Sequence, residues 1–123
     1  MDHMGLQGLS ILVVEDEPLI VLDIVQGLQS AGASVLTAHS LHDGLQLAAQ
    51  SEVSAAVLDL NLGDGEGAAL CQCLKQRGIP FVIHTGYTPI PVACGSEIVI
   101  TKPASAEELV AAIQGLLRST ARA

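Results

Sequence analysis

Five short apolar runs alternate with longer amphipathic stretches along the chain. The first, Leu9–Val14, reads as a strand that ends at three consecutive acids, Glu15, Asp16 and Glu17. Pro18 follows where the first turn of a helix accepts proline, because the missing N–H would be unpaired there anyway. Val21, Ile24, Val25 and Leu28 then recur at helical spacing, and Gly32 marks the stop. A second strand spans Ser34–Ala38, and Ser40 is placed to cap a helix whose inner face holds Leu41, Leu45, Ala48 and Ala49. The third run, Ala55–Leu58, ends at Asp59. A glycine-rich turn from Gly63 to Gly67 leads into a helix expected to bury Leu70, Cys73 and Leu74, closed by Gly78. The fourth run, Phe81–His84, reaches Thr85. The stretch from Gly86 to Glu97 contains Pro89, Pro91 and Gly95 and reads poorly as a helix. The fifth run, Ile98–Thr101, arrives at Lys102-Pro103. Ser105 and Glu108 form a capping box ahead of a stripe of Leu109, Ile113 and Leu116.

Strand–helix alternation at this period implies right-handed crossovers and a parallel sheet with helices on both faces. The strands are nearly unbroken apolar runs, as expected where both faces are covered. The fold class is therefore α/β, a doubly wound five-stranded parallel sheet of order 2-1-3-4-5 with its fourth helix shortened or missing. The chain's 123 residues suit one domain, assigned to residues 9–118. Residues 1–8 are set apart as an N-terminal extension or tag remnant, and 119–123 as a frayed tail.

Composition alters this picture in three places. Half of the residues are apolar but only 2% aromatic, so Val, Leu, Ile and Ala must fill the core. The net charge of −8 leaves no cationic face for counterion release from a duplex, which argues against direct nucleic-acid binding. No run approaches the ~18 apolar residues of a membrane span. The three cysteines, Cys71, Cys73 and Cys94, form no CxxC pair and leave an odd count. That pattern argues against a disulfide framework and fits a reducing cytoplasm, with the cysteines read as small buried or half-buried hydrophobes.

The polar residues that end the strands carry the chemistry. Strand one ends in Glu15 and Asp16, strand three in Asp59, strand four in Thr85 and strand five in Lys102. In an open parallel sheet these ends share one edge, where ligands bind. Crowded carboxylates raise one another's pKa unless positive charge sits among them, and oxygen donors of this kind suit Mg²⁺. Asp59 is then a candidate nucleophile toward phosphorus, with Thr85 and Lys102 each able to hold a phosphoryl oxygen. Each residue alone has a plainer reading: helix N-terminal charges for the acid pair, a turn or cap for Asp59, a backbone bond for Thr85, a solvated charge for Lys102. All of them in order at strand ends outweigh those readings. His84 precedes Thr85 on an alternating strand and should point away from the cluster.

Val13-Val14-Glu15-Asp16-Glu17, Val57-Leu58-Asp59-Leu60-Asn61, His84-Thr85-Gly86 and Thr101-Lys102-Pro103 resemble the receiver domains of two-component response regulators, over almost all of Leu9 to Leu117. The resemblance implies a flavodoxin-like fold and a phosphoaspartate at Asp59, formed from the phosphohistidine of a histidine kinase or histidine phosphotransfer protein. It implies Mg²⁺ held by Asp16, Asp59 and the backbone carbonyl of Asn61, with Glu15 acting through water. Thr85 and Lys102 would contact the phosphoryl group. Self-phosphorylation and slow self-dephosphorylation make such domains switches rather than turnover enzymes.

The chain departs from the family pattern at Gly63, where a proline is usual, and at Val99, where an aromatic often stands. Thr85 and Lys102 are too close for an ordinary fourth helix. With Phe81 and Thr85-Gly86-Tyr87, this resembles the "FATGUY" receivers, often stand-alone or linked to HWE-type histidine kinases. Gly86, Tyr87, Val99 and Pro103 are accordingly candidate switch or access residues. Phosphorylation is expected to order the stretch from Gly86 to Glu97, with Tyr87 as its reporter. Two rival classes remain: a pseudo-receiver that kept the fold as a binding module, and a phosphatase with an aspartyl nucleophile. The phosphatase usually needs an acid two residues after its nucleophile, where this chain has Asn61, which cannot donate that proton. Oligomeric state is left open.

Overall fold

A computed structural model describes residues 5–86, 90–95 and 98–121, apart from the side chains of residues 66 and 119–121. In chain order the elements are β1 (Ser10–Val14), α1 (Pro18–Ser30), β2 (Ser34–Ala38), α2 (Leu41–Gln50), β3 (Ala55–Leu58), β4 (Asn61–Leu62), β5 (Gly65–Glu66), α3 (Ala68–Gln76), β6 (Phe81–Thr85) and β7 (Ile98–Thr101). The last helix, α4, runs over Ala106–Ala121. Five strands form a parallel sheet in the order β2-β1-β3-β6-β7. Leaving aside the small antiparallel β4–β5 hairpin, this is the 2-1-3-4-5 order expected from the sequence. The hairpin is not signalled by any apolar run.

The period-two alternation of the strands sorts the core into two halves. Leu12, Val14, Ala56, Leu58, Phe81 and Ile83 pack on one face of the sheet with Leu70, Cys71 and Leu74 of α3. Ile11, Val13, Ala55, Val57 and Val82 pack on the other with Ile24 and Leu28 of α1 and Leu109 and Ile113 of α4. Helix α1 stops where Gly32 adopts φ +99°, a conformation that costs a side-chain-bearing residue clash with its own backbone.

The helix faces differ from expectation by small rotations. In α3 the buried positions are Leu70, Cys71 and Leu74, and Cys73 is only half-buried. In α2, Ala48 is buried and Ala49 exposed, while Leu47 packs on the core instead. Both follow from α2 and α3 lying side by side on one sheet face, so each turns a flank toward the other. Strand β7 is an edge strand, and Ile98 and Val99 are exposed rather than covered.

Three expectations are corrected. Residues 5–8 are part of the fold: Leu6 is buried in the second core half, and its N–H donates to the Ala31 carbonyl at 2.8 Å. Residues 1–4 lie outside the described residues. The tail is helical through Ala121 instead of fraying at 119. Finally, Cys71 and Cys94 form a disulfide, with Cα atoms 5.4 Å apart. An odd count leaves one thiol over but does not forbid a pair. Sequence spacing could not show that the inner face of α3 meets the 3₁₀ turn Val92–Cys94, the helical turn among the described residues between β6 and β7. Among the described residues, no helix is long and apolar enough to cross a membrane.

Candidate functional site

The chemistry gathers beyond the carboxyl ends of β1, β3, β6 and β7. The chain leaves each strand there with a polar residue; Val14, Leu58 and Ile83 are level in the register, and β6 and β7 run two residues further to the paired Thr85 and Thr101. A cavity of about 400 Å³ opens at this edge, lined by Asp16, Glu17, Asp59, Asn61, Thr85, Gly86 and Lys102. Glu15, Asp59 and Thr85 are buried around it, and Asp16 and Glu17 face solvent.

Lys102 is the hub. Its Nζ lies 3.0 Å from Glu15 Oε1, 3.1 Å from Asp59 Oδ2 and 3.2 Å from Glu17 Oε1. Its backbone N–H donates to the Thr85 carbonyl at 3.0 Å, which ties the end of β7 to the end of β6. The peptide bond to Pro103 is cis. Asp59 is held at both carboxylate oxygens, since the Asn61 N–H donates to Oδ1 at 3.1 Å. Glu15 Oε2 accepts from the Glu17 N–H at 3.3 Å.

Carboxylate oxygens of Glu15, Asp16, Glu17 and Asp59 all lie within 4.8 Å of one another. Three of these acids share one ammonium group, with Asp16 beside them. The consequences are visible in the proton affinities. Burial pushes the Glu15 carboxyl up from 4.5 to about 7, against the pull of its bond to Lys102 and with the help of the Asp59 charge. Burial alone would lower the Lys102 ammonium, but its bonds to Glu15 and Asp59 outweigh that and hold it above its ordinary value. A cluster of hard oxygen donors with an uncompensated negative charge and an open side fits a divalent cation such as Mg²⁺.

The structure therefore brings together Glu15, Asp16, Asp59, Asn61, Thr85 and Lys102. Glu17 was not singled out from the sequence, and its place beside Glu15 and Asp16 at the strand end was the available signal. Gly86 lines the cavity, whereas Val99 is exposed on the edge strand away from it. Tyr87 lies outside the described residues, as do residues 88–89 and 96–97 of the segment expected to be ordered by phosphorylation. His84 points to the opposite sheet face, as its alternation with Thr85 requires. There it lines a separate cavity of about 240 Å³ with Leu19, Asp23, Pro103 and others, and both of its ring nitrogens are buried without a hydrogen-bond partner. Burial lowers its pKa.

Comparison with known proteins gives a consistent result. The family described as "Response regulator receiver domain" matches residues 11–114. The acid tolerance regulatory protein ActR of Sinorhizobium medicae is 29% identical over 111 residues, covering 85% of this chain and 57% of that protein. The transcriptional regulatory protein GltR of Pseudomonas aeruginosa is 31% identical over 124 residues, covering 94% of this chain and 51% of its own length. The chain thus spans about half the length of the curated relatives it matches. Among solved structures, a CheY-like response regulator receiver domain protein from Methanospirillum hungatei superposes with a TM-score of 0.84 at 27% identity, covering 92% of this chain and 96% of that one.

Proposed function

Because the chain belongs to the response regulator receiver domain family, we propose that Asp59 accepts a phosphoryl group from the phosphohistidine of a histidine kinase or phosphotransfer protein. The observation that carries the reading is the pairing of Asp59 Oδ2 with Lys102 Nζ at 3.1 Å on the wall of an open, acid-lined cavity. In the transfer, an Asp59 oxygen forms the new P–O bond as the N–P bond to the donor imidazole breaks. The Asn61 N–H holds the other Asp59 oxygen, which fixes the carboxylate plane for in-line approach. Lys102, shared among three carboxylates at rest, is positioned to follow the charge onto a phosphoryl oxygen. Thr85 lines the same cavity and brings a hydroxyl for a second oxygen.

Asp16, Asp59 and the Asn61 carbonyl would hold Mg²⁺, with Glu15 reaching it through water. When bound, the ion neutralises charge on the phosphoryl oxygens. On this reading the output leaves through protein contacts, and the chain acts as a switch rather than a turnover enzyme. The FATGUY-like features make an HWE-type kinase one candidate donor. A cytoplasmic location follows from that donor chemistry and no longer from the cysteines, since two of them are paired.

The test is Mg²⁺-dependent labelling by acetyl phosphate or by a candidate kinase, followed as a mass increase of one phosphoryl group. Labelling should vanish with EDTA and in Asp59→Asn. Undiminished labelling of Asp59→Asn would move the acceptor to another residue and overturn the assignment of Asp59, and no labelling of the wild type by any donor would place the chain with the binding modules. Steady turnover of a phosphate monoester would favour a phosphatase.

A further inference from the structure

The loop that follows Asp59 is fastened to the rest of the molecule from an unexpected direction. Like any α-helix, α2 begins with N–H groups that have no partner within the helix. Here those of Leu41, His42 and Asp43 are all satisfied, ahead of the helix's own first bond. Leu41 N–H donates to Asp64 Oδ1 at 2.7 Å and His42 N–H to Asp64 Oδ2 at 3.0 Å. Asp43 N–H donates to Ser40 Oγ at 3.1 Å, and Gly44 N–H to the Ser40 carbonyl at 3.0 Å. Ser40 is the local cap that the sequence signals. Asp64 comes from the turn of the β4–β5 hairpin and spreads both carboxylate oxygens over the first turn of a helix more than twenty residues earlier. The two backbone bonds draw its pKa below the usual carboxylate value.

That hairpin begins at Asn61 and turns at Gly63, where a proline is usual in the family. It is only two residues per strand, pairing Asn61 with Glu66 and Leu62 with Gly65. Its own ladder is therefore too short to hold it rigid. Its other anchors are Leu62, buried in the core, and Gly65, where an added Cβ would lie 2.8 Å from Leu41 Cδ2. Both the close approach of Leu41 Cδ2 to the Gly65 backbone and the carboxylate of Asp64 thus link the hairpin to the start of α2.

We infer that Asp64 is a positioning residue for the cation site: by clasping the N-terminus of α2, it fixes the β4–β5 hairpin and with it the backbone of Asn61. The inference rests on the reading that the Asn61 carbonyl is a Mg²⁺ ligand. It assigns to Asp64 and Gly65 the fixing of a loop that here lacks a proline. It also couples α2 to the occupancy of the site, because a shift of the α2 N-terminus moves the turn that carries Asp64.

The test compares Mg²⁺ affinity, by titration calorimetry on the full chain, in the wild type, Asp64→Ala, Asp64→Asn and Ser40→Ala. Ser40→Ala removes a cap from the same helix without touching the hairpin, so it matches any general loss of α2 stability. Asp64→Ala should weaken Mg²⁺ about tenfold, the low end of the effect seen for groups that orient metal ligands. Asp64→Asn, which keeps an acceptor for one N–H, should recover part of that loss, and Ser40→Ala should change affinity by less than about twofold. Equal affinity in wild type and Asp64→Ala, or equal losses in Asp64→Ala and Ser40→Ala, would overturn this inference alone. Absence of Mg²⁺ binding in the wild type would overturn the cation site and this inference together.

Discussion

Glu15 is the acid on which the electrostatics of the site can be measured most directly. It is 1% exposed and paired with Lys102, yet its carboxyl titrates near 7 rather than 4.5. A carboxyl whose pKa rises on folding binds its proton more tightly in the native state. Its contribution to stability is complete below the unfolded value near 4.5 and is lost as pH climbs through the folded value near 7. Integrating between these pKa values gives a loss of about 2.5 kcal/mol from pH 5 to pH 8. Glu15→Gln keeps the shape and cannot ionise, so it lacks this term.

The chain has no Trp and one Tyr, so unfolding in urea is best followed by far-ultraviolet circular dichroism, with EDTA present. Wild-type stability minus that of Glu15→Gln should fall by about 2 to 3 kcal/mol between pH 5 and pH 8. Subtracting the variant cancels the titration of the other acids to first order. In saturating Mg²⁺ the fall should shrink, because a nearby dication favours the ionised carboxyl and draws its pKa down. A difference that stays constant from pH 5 to pH 8 without metal would refute the account, and with it the claim that these acids are short of positive charge.

Two other expected outcomes test the fold. Leu6→Ala should cost about 2 to 5 kcal/mol in the same urea assay, because it empties a fully buried leucine site in the α1–α4 half of the core. A loss below about 0.5 kcal/mol would return residues 5–8 to the status of an appendage. Cys94→Ala opens the loop closed between Cys71 and Cys94, 23 positions apart, and should cost roughly 3 kcal/mol relative to the oxidised protein. Dithiothreitol should lower the wild-type urea midpoint correspondingly and leave the variant unchanged, and identical wild-type midpoints with and without reductant would show that the bond contributes nothing.

What was legible in the sequence is what local pattern and topology determine. The apolar run Ala55–Leu58 marks its strand to the residue because a buried parallel strand tolerates few polar positions; the edge strand Ile98–Thr101 is marked instead by its unbroken β-branched residues. Once the strand order is set, the residues after each run must meet at one edge, so Asp16, Asp59, Thr85 and Lys102 could be placed together without coordinates. What was not legible depends on contacts between segments that carry no periodic signal. Leu6 is one apolar residue among polar and glycine neighbours, and only the Ala31 carbonyl and the α1–α4 seam give it a place. Asp64 reads as an ordinary turn residue until α2 is set beside it. Cys71 and Cys73 stand two residues, about 200°, apart and flank the Leu70–Leu74 stripe on either side, so the choice between them turns on a modest rotation that an apolar stripe of a nine-residue helix cannot resolve.

The charge balance of the site explains why its parts belong together. At neutral pH, Asp16, Glu17 and Asp59 and a partly ionised Glu15 surround a single ammonium, which all but Asp16 contact within 3.2 Å. Such a cluster is a poor way to stabilise a fold, because taking charges out of water costs more than one lysine returns. The raised pKa of Glu15 is the measure of that deficit. Two positive charges would make up the deficit, and oxygen donors within 4.8 Å of one another favour a hard dication as their source. The incoming phosphoryl group then adds negative charge beside Asp59, so the cation and Lys102 are both needed after transfer as well as before it. On this argument the resting site is held together by a lysine that is pulled three ways, and phosphorylation gives it a fourth partner whose charge is greater than that of any one carboxylate.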